Sequence, residues 1–238
     1  MKQQPCNAKA TTPIFNKQAM LIRQQLQTLS LQQIQSLTNT SSKLAQQVYD
    51  MIAHPAPTHP ALYTYYGEVF KSMNPSIWNA QKLKHAQAKL RIGSAMYGYL
   101  RPLDGILPYR LDYTINFEDL GLDDAISFWR DNITEAFLSE LKSNEIIINL
   151  ASLEFSQLFD LARIKSHAHW VTIDFKELVQ GKLKTVTMHA KTARGLAVNV
   201  LLDKNIQRLK DLDSISHIGE YQLDLVKSSS TNRVYIKK

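Results

Sequence analysis

The sequence has few of the residues that cross-link a protein or anchor it in a membrane. Cys6 is the only cysteine among 238 residues, so no disulfide can form within the chain. Apolar runs such as residues 146–153 are much shorter than the roughly 20 residues that a membrane helix needs. The N-terminus is polar and has no apolar signal region. We therefore predict a protein of the reducing cytoplasm with no membrane association.

Motifs for common cofactors and metals are also missing. The sequence contains neither a GxGxxG nor a GxxxxGK[ST] pattern, which excludes the usual glycine-rich phosphate loops. A single cysteine excludes the paired cysteines of a zinc site. His167 and His169 could share one face of a strand, but the sequence offers them no further ligand. We predict that the protein has no cofactor and no metal site.

Positive charge is concentrated in one part of the chain. The formal net charge is +7, and residues 1–162 sum to zero because they hold 14 Lys/Arg and 14 Asp/Glu. Residues 163–238 hold 14 Lys/Arg and 7 Asp/Glu, so the last third carries the whole excess. Such an excess can attract a polyanion through its phosphates, although on charge alone a solvated surface is the preferred explanation.

Helical periodicity predicts several helices. Residues 17–53 have apolar side chains at helical spacing, with a polar break at 38–42 that predicts a helix, a short turn and a second helix. Residues 122–143 predict an amphipathic helix with Asp123 and Asp124 in its first turn. Further helices are predicted at 75–91 and 191–205, the latter broken or tightly packed at Gly195.

Alternating and apolar segments predict strands between these helices. Residues 144–152 are typical of a buried strand, and 169–178 and 183–191 of a strand pair around the turn at 179–182. Residues 219–238 predict two strands around 228–232. Because helices and strands alternate irregularly and no linker is evident, we predict one compact α+β domain over residues 1–238, with a mixed β-sheet surrounded by helices.

Residues 97–113, YGYLRPLDGILPYRLDY, combine backbone constraints with planar cations. Pro102 and Pro108 fix φ, while Gly98 and Gly105 permit unusual backbone angles, so the segment predicts a shaped loop. The functional candidates are Arg101 and Arg110 as bidentate donors, Asp104 as the residue that orients Arg101, and Tyr97, Tyr99 and Tyr109 for stacking or hydrogen bonding. A purely structural loop with neutralised arginines is an equal alternative.

Two other segments hold candidate residues. Lys191 and Arg194 lie three residues apart, so they share a helix face, and at the N-terminal turn of a helix they would favour an anion. Asn149, Ser152 and Glu154 come at the end of a predicted strand, where the sites of α/β sheets gather. Exposed charges in the first case and strand-end capping in the second are the structural alternatives.

Residues 90–113, LRIGSAMYGYLRPLDGILPYRLDY, closely resemble the signature of the bacterial YaaA family, also called UPF0246. That signature has the form LR-hydrophobic-x-SGLYG-x-LRPLD-x-x-x-PYRLEM. Five further segments are similar in the right order: GEVFKSM at 67–73, FWRDNIT at 128–134, NLASLEF at 149–155, AKTARG at 190–195 and YQLDLVKSSSTNRVYIKK at 221–238. The resemblance covers nearly the whole chain, although the family's apolar first strand is replaced here by polar residues before Ala8 and Lys9.

The resemblance implies a function in resistance to hydrogen peroxide, associated with limiting free intracellular iron. It also implies DNA binding by a family-specific fold with a positively charged cleft and a helix-hairpin-helix element, which residues 31–52 would form. Such an element binds the DNA backbone without reading sequence. Lys43 would be its phosphate contact, although its loop, residues 38–43, lacks the usual glycines.

Two functional hypotheses follow for one cleft. In the first, a monomer binds double-stranded DNA largely without sequence preference, through Lys9, Lys43, Arg101, Arg110, Lys191 and Arg194. In the second, the cleft is the site of an enzyme that acts on a nucleotide or a nucleic-acid base, with Asp104, Tyr109, Asn149 and Ser152 as catalytic candidates. Direct iron binding is a third possibility, disfavoured because the chain offers no clustered His and Glu ligands.

Overall fold

The computed structural model describes residues 1–112, 115–122, 124–204 and 206–238. Its helices are α1 Asn16–Thr28, α2 Leu31–Thr38, α3 Ser42–Ala53, α4 Ala61–Thr64, α5 Glu68–Met73, α6 Ala80–Lys89, α7 Ala125–Glu140, α8 Leu153–Ser156, α9 Leu161–Lys165 and α10 Thr187–Asp203. Its strands are β1 His59–Pro60, β2 Ile92–Ser94, β3 Gly98–Leu100, β4 Gly105–Ile106, β5 Ile146–Asn149, β6 His169–Val179, β7 Lys182–Lys184, β8 His217–Ile218, β9 Tyr221–Ser229 and β10 Asn232–Lys237. Tyr113 and Asp123, named above, lie outside the described residues.

The chain groups into two compact units. The first unit comprises Met1–Tyr65, Ala86–Ala136 and Leu153–Asp160. The second unit comprises Tyr66–His85, Phe137–Ser152 and Leu161–Lys238. The chain passes repeatedly between them, which is consistent with the absence of a linker in the sequence.

Three helices open the first unit where the sequence pattern predicted two. The predicted first helix is interrupted after Thr28, because the Ser30 side chain accepts a hydrogen bond from the Gln33 amide and the Gln33 side chain accepts one from the Ser30 amide. This reciprocal capping box starts a new helix, α2. The predicted turn between helices is confirmed, since Asn39 ends α2 in the left-handed region and α3 begins at Ser42.

An aromatic cluster forms the core of the first unit. Trp129 of α7 is fully buried, donates its indole N–H to the Ala95 carbonyl at 3.0 Å and meets Phe15 edge-on. Gly98 lies against the Trp129 ring with φ at +66°, a left-handed angle that favours glycine, so the predicted unusual backbone at Gly98 is confirmed.

Backbone hydrogen bonds hold the N-terminal residues of the first unit against later segments of the same unit. The Lys2 and Gln4 amides donate to the Thr64 and Tyr63 carbonyls. The Thr11 amide donates to the Leu103 carbonyl, and the Gly105 amide donates to the Thr11 carbonyl, each at 2.8 Å. Backbone groups make these bonds, so the segment is held in place although its side chains are mostly polar.

The second unit is built on a six-stranded mixed sheet. Strands run in the order β5-β6-β10-β9-β8, and β7 pairs with β6. Strand β6 is parallel to β5 and to β10, whereas the pairs β9–β10, β8–β9 and β6–β7 are antiparallel. The predicted pairing of the strand at 169–178 with the strand after the turn at 179–182 is thereby confirmed, as are that turn and the pairing of the two strands at 219–238.

Helix α10 covers one face of this sheet. Alternate residues of β6, among them Val171, Ile173 and Phe175, are buried in one cluster with Ala193 and Ala197 of α10. The strand predicted at 183–191 is wrong beyond Lys184, because α10 begins at Thr187. The pattern LKTVTM has strand propensity, but burial of small α10 side chains against β6 makes this segment helical.

The α+β class and the mixed sheet are as predicted. A single domain over residues 1–238 stays a prediction. Among the residues that the structure describes, no helix has the length and apolar character needed to cross a membrane.

Candidate functional site

Arg101 and Asp104 form an ion pair across the turn of the RPLD segment. The Asp104 side chain is fully buried, while that of Arg101 is 29% exposed. Asp104 accepts hydrogen bonds from the Arg101 amide at 2.8 Å and from the Arg101 guanidinium, with Nη2 at 3.0 Å from Oδ1. The predicted orientation of Arg101 by Asp104 is confirmed. Because the carboxylate is enclosed and fully engaged, these contacts favour a positioning role for Asp104 over an acid–base role.

Residues of the N-terminal segment complete this pair. The Thr11 hydroxyl donates to Asp104 Oδ1 at 2.7 Å, and Arg101 Nη2 donates to the Thr12 carbonyl at 2.9 Å. The Gln87 side chain accepts from the Leu103 amide at 2.7 Å and donates to Thr11. Sequence reasoning missed Thr11 and Gln87, since neither is close to the RPLD segment in the chain.

Tyr109 is the centre of a chain of three hydroxyl groups in the first unit. Its hydroxyl lies 2.7 Å from Ser94 Oγ and 2.6 Å from the Tyr65 hydroxyl, and Ser94 Oγ accepts from the Tyr97 amide. Burial raises the pKa of Tyr109 well above its usual value, and the nearby Tyr65 hydroxyl raises this pKa further. Tyr109 therefore stays a neutral phenol at physiological pH.

The raised pKa of Tyr109 predicts a loss of stability in alkali. The folded state holds the Tyr109 proton more tightly than the unfolded chain, so the associated stability is complete below about pH 10, the ordinary tyrosine value, and is lost as pH rises above it. We expect part of the tyrosinate absorbance change to coincide with the loss of the circular dichroism signal, and this part to shrink in Tyr109→Phe. Complete tyrosine ionisation in a still-folded protein would contradict this.

The tyrosine rings of the loop are not presented for stacking. Tyr97, Tyr99 and Tyr109 are at most 5% exposed and belong to the core of the first unit. Tyr97 and Tyr109 instead pack on each other, with ring centroids 5.8 Å apart. The aromatic faces that were expected to stack on a ligand therefore pack within the core of the first unit.

The other cations expected in the first unit are on its surface. Arg110, Lys9 and Lys43 are exposed. Lys43 lies in the first turn of α3, directly after the turn that joins α2 and α3. Arg110 directly follows the buried Tyr109 in the chain. All three side chains are accessible to a polyanion.

Lys191 and Arg194 lie on α10 but not at its N-terminal turn, which corrects the expected placement. Lys191 comes more than one turn after Thr187, where α10 begins, and Arg194 comes later still. Lys191 is exposed, whereas Arg194 is half-buried. The two therefore cannot reinforce the free amides of the helix end, and only Lys191 offers a fully accessible charge.

Asn149 belongs to a row of polar side chains on the sheet of the second unit. Asn149 of β5, Thr172 of β6 and Asn232 of β10 occupy the same register position on adjacent strands. Asn149 Nδ2 donates to Thr172 Oγ1 at 3.2 Å, and Asn232 Nδ2 donates to Asp174 at 3.1 Å. Ser152 follows β5 and is half-buried. The row was partly predictable from Asn149, but its other members depend on strand register.

An acid–histidine pair in the second unit was missed by sequence reasoning. Glu177 of β6 accepts hydrogen bonds from the Tyr221 hydroxyl and from His189 Nδ1, the latter at 2.9 Å. Burial alone would raise the Glu177 pKa, but the hydrogen bonds from Tyr221 and His189 outweigh it and lower this pKa overall. His189 directly precedes the AKTARG segment at 190–195, and its partner Glu177 lies on another element, so the sequence gives no local sign of the pair.

Packing explains much of the sequence that carries the family resemblance. A Cβ on Gly93 would lie 2.7 Å from the ring of Phe155, and one on Gly98 would lie 2.9 Å from Trp129. In the second unit, a Cβ on Gly195 would lie 2.0 Å from Ser72 Oγ. Segments of the resemblance thus meet in pairs, and the glycines permit these close approaches. Their surface cations and polar side chains remain as the candidates for function.

Comparison with known proteins agrees with these segments. Residues 1–225 match the family described as "Peroxide stress protein YaaA". A UPF0246 protein of Bacteroides thetaiotaomicron is 34% identical over 231 residues, which cover 95% of this chain and 90% of that protein. A UPF0246 protein of Flavobacterium johnsoniae is 32% identical over 233 residues, covering 95% and 91%. The chain is therefore a member of the YaaA family of peroxide stress proteins, the UPF0246 family.

Proposed function

We propose that this protein binds double-stranded DNA, largely without sequence preference, as part of the response to hydrogen peroxide. The observation that carries the proposal is the net charge of +7 in residues 163–238, together with the exposure of Lys191 there and of Arg110 in the first unit. Contacts of lysine and arginine with phosphates supply essentially all of non-specific DNA affinity. By resemblance to the family, this binding is associated with limiting free intracellular iron.

The contact set is proposed to comprise Arg110, Lys191, Lys9 and Lys43, with Arg101 and Arg194 as half-buried contributors. Arg101 is held by Asp104 and the Thr12 carbonyl, so only its outward edge can donate to a phosphate. The helix pair α2–α3 would contribute through Lys43 and the backbone of its turn. That turn has Asn39 in the left-handed region where helix-hairpin-helix elements favour glycine.

Removal of the Arg110 and Lys191 side chains tests the proposed contacts. Fluorescence anisotropy with a labelled duplex across a salt series should give a linear log–log plot, whose slope falls by about 0.9 for each phosphate that is no longer neutralised. We expect this decrease for Arg110→Ala and for Lys191→Ala, and none for the control Lys17→Ala, which removes an exposed charge from α1.

Two outcomes would count against the proposal. If the unmodified protein binds the duplex only weakly at about 50 mM salt, where phosphate contacts are strong, the DNA-binding function is wrong. If it binds well and both variants behave like Lys17→Ala, DNA binding stands but these contacts are misplaced.

An enzyme acting on a nucleotide or base is the second candidate function. The polar row at Asn149, Thr172 and Asn232 favours it, because Asn232 Oδ1 is buried without a hydrogen-bond partner among the described residues. Such an atom could accept from a base edge or a ribose hydroxyl. Asn232→Ala should then weaken nucleotide binding measured by calorimetry and leave duplex binding unchanged. Equal nucleotide binding by Asn232→Ala and the unmodified protein would remove this candidate.

A further inference from the structure

The hairpin formed by β6 and β7 extends past its neighbour in the sheet. Strand β10 pairs with β6 only as far as Glu177, whereas β6 continues to Val179 and turns back into β7. The turn consists of Gln180 and Gly181, both with positive φ, which gives a tight, strongly twisted two-residue connection. The segment 176–185, here called the hairpin tip, is therefore a short, well-defined projection.

The hairpin tip exposes a pair of leucines on one face. Leu178 and Leu183 are directly opposite each other across the two strands and are 57% and 37% exposed. Lys176 and Thr185 continue the same face, with Lys176 Nζ donating to Thr185 Oγ1 at 3.0 Å. Two exposed leucines at a projecting tip lose the stabilisation of burial, so they indicate a surface that is covered in a complex.

Lysines occur on both faces of the hairpin tip, and Lys176 shares the face of the leucines. Lys182 and Lys184 are exposed on the opposite face of β7, which pairs with β6 alone among the described strands. Lysines on an edge strand commonly only prevent aggregation. Protection against aggregation does not explain the neighbouring leucines, since exposed leucines would promote association between protein molecules. Apolar contact flanked by cations is instead complementary to a groove of DNA, where apolar base edges lie between rows of phosphates.

We propose that the hairpin tip enters the major groove of double-stranded DNA. Two paired strands are about 5 Å apart, and a major groove about 12 Å wide admits such a ribbon. Leu178 and Leu183 then face the base edges and contact a thymine methyl group, while the long side chains of Lys182 and Lys184, on the other face of β7, reach phosphates beside that strand. The two leucines offer much less area than a stable protein interface needs, which favours DNA over a protein partner.

This inference deepens the proposed DNA binding and rests on it. A thymine methyl contact gives only a weak preference for sites that contain thymine, which is compatible with binding that is largely independent of sequence. It predicts that affinity depends on the methyl group itself. Two duplexes that differ only in thymine or uracil isolate this contact, because uracil lacks the methyl.

The first measurement compares these two duplexes by anisotropy at one salt concentration. The unmodified protein should bind the thymine duplex about fourfold more tightly, as expected for burial of one methyl group. The double variant Leu178→Ser/Leu183→Ser should bind the two equally, with its fold verified by circular dichroism. Equal binding of both duplexes by the unmodified protein would overturn the methyl contact.

A second pair of variants tests the tip without touching the leucines. Lys182→Ala/Lys184→Ala should lower the salt slope by about 1.8, because two phosphates are no longer neutralised. The control Lys204→Ala/Lys210→Ala removes the same charge after α10 and should leave the slope nearly unchanged. If the tip variant behaves like this control while the unmodified protein binds DNA, the hairpin proposal is wrong and the proposed function stands.

Failure of the unmodified protein to bind either duplex would instead reject the proposed function and the hairpin contact together. Size-exclusion chromatography tests the alternative that Leu178 and Leu183 bind a second copy of the chain instead of DNA. If the unmodified protein is a dimer that the leucine variant dissociates, with unchanged DNA affinity, the leucines form a subunit interface and the groove contact is overturned.

Discussion

Replacement of Gly195 by alanine is expected to lower the free energy of unfolding by about 3 kcal/mol, at the upper end of overpacking effects. The new Cβ would lie 2.0 Å from Ser72 Oγ and 2.2 Å from the Val69 carbonyl oxygen. The serine can rotate away, but the carbonyl belongs to the backbone of α5 and cannot. Helices α5 and α10 must then move apart.

Other contacts along the same crossing make this separation costly. The Thr192 hydroxyl donates to Glu68, and Asn199 Nδ2 donates to the Met73 carbonyl at 2.9 Å. Both span α5 and α10 on either side of Gly195, so an increase in helix separation weakens them as well. The loss exceeds the roughly 1 kcal/mol that alanine normally gains over glycine within a helix.

Urea denaturation followed by circular dichroism measures this effect. The matched control is Lys191→Ala, which introduces alanine at an exposed position of the same helix and should change stability by less than about 0.5 kcal/mol. If Gly195→Ala is as stable as the control or more stable, α5 and α10 do not pack as closely as the structure indicates.

Replacement of Asp104 by asparagine is expected to cost about 3 kcal/mol of stability, because it leaves a partly buried guanidinium without its counter-charge. The substitution preserves size and removes only the charge and one acceptor. Thr11, the Arg101 amide and the Arg101 guanidinium all donate to this carboxylate. The expected value is at the lower end of the range for buried pairs, since Arg101 retains 29% exposure.

The chain contains its own control for this substitution. Arg208 and Asp211 have the same three-residue spacing, but their side chains are 81% and 23% exposed. Asp211→Asn should therefore lose much less stability, because water can solvate the unpaired guanidinium. Equal losses in the two variants would mean that enclosure of Asp104 does not matter. An unchanged stability for Asp104→Asn, with impaired turnover of a nucleotide, would favour the enzyme hypothesis.

The sequence allowed prediction of elements whose pattern is local. Helix α7, predicted at 122–143 and observed at Ala125–Glu140, follows from apolar periodicity, and the Gln180–Gly181 turn follows from its position between two alternating strands. The break at Ser30 also has a local cause, the capping box of Ser30 and Gln33, but the helical apolar periodicity continues across it and conceals the break. The start of α10 depends on packing against β6, which no window of sequence contains.

In the candidate site too, contacts between residues close in sequence were predictable, whereas burial and contacts between distant residues were not. The Arg101–Asp104 pair was predictable because its members are three residues apart. Burial of Tyr97, Tyr99 and Tyr109 was not, since exposed and buried tyrosines have the same sequence pattern. Thr11 is 93 residues from Asp104, and Glu177 is 12 from His189 on another element. Such partners become visible only when the fold brings the elements together.

The backbone hydrogen bonds of the N-terminal segment determine how early in synthesis this segment can fold, because its partners are translated later. Its partners are Tyr63, Thr64, Leu103 and Gly105, so its first residues emerge long before the chain that will hold them. At about 5–20 residues per second, the wait for Gly105 is roughly 5–20 s. The polar character of residues 1–9 suits this interval, because an apolar strand with an unpaired edge would be exposed to aggregation while the ribosome completes its partners.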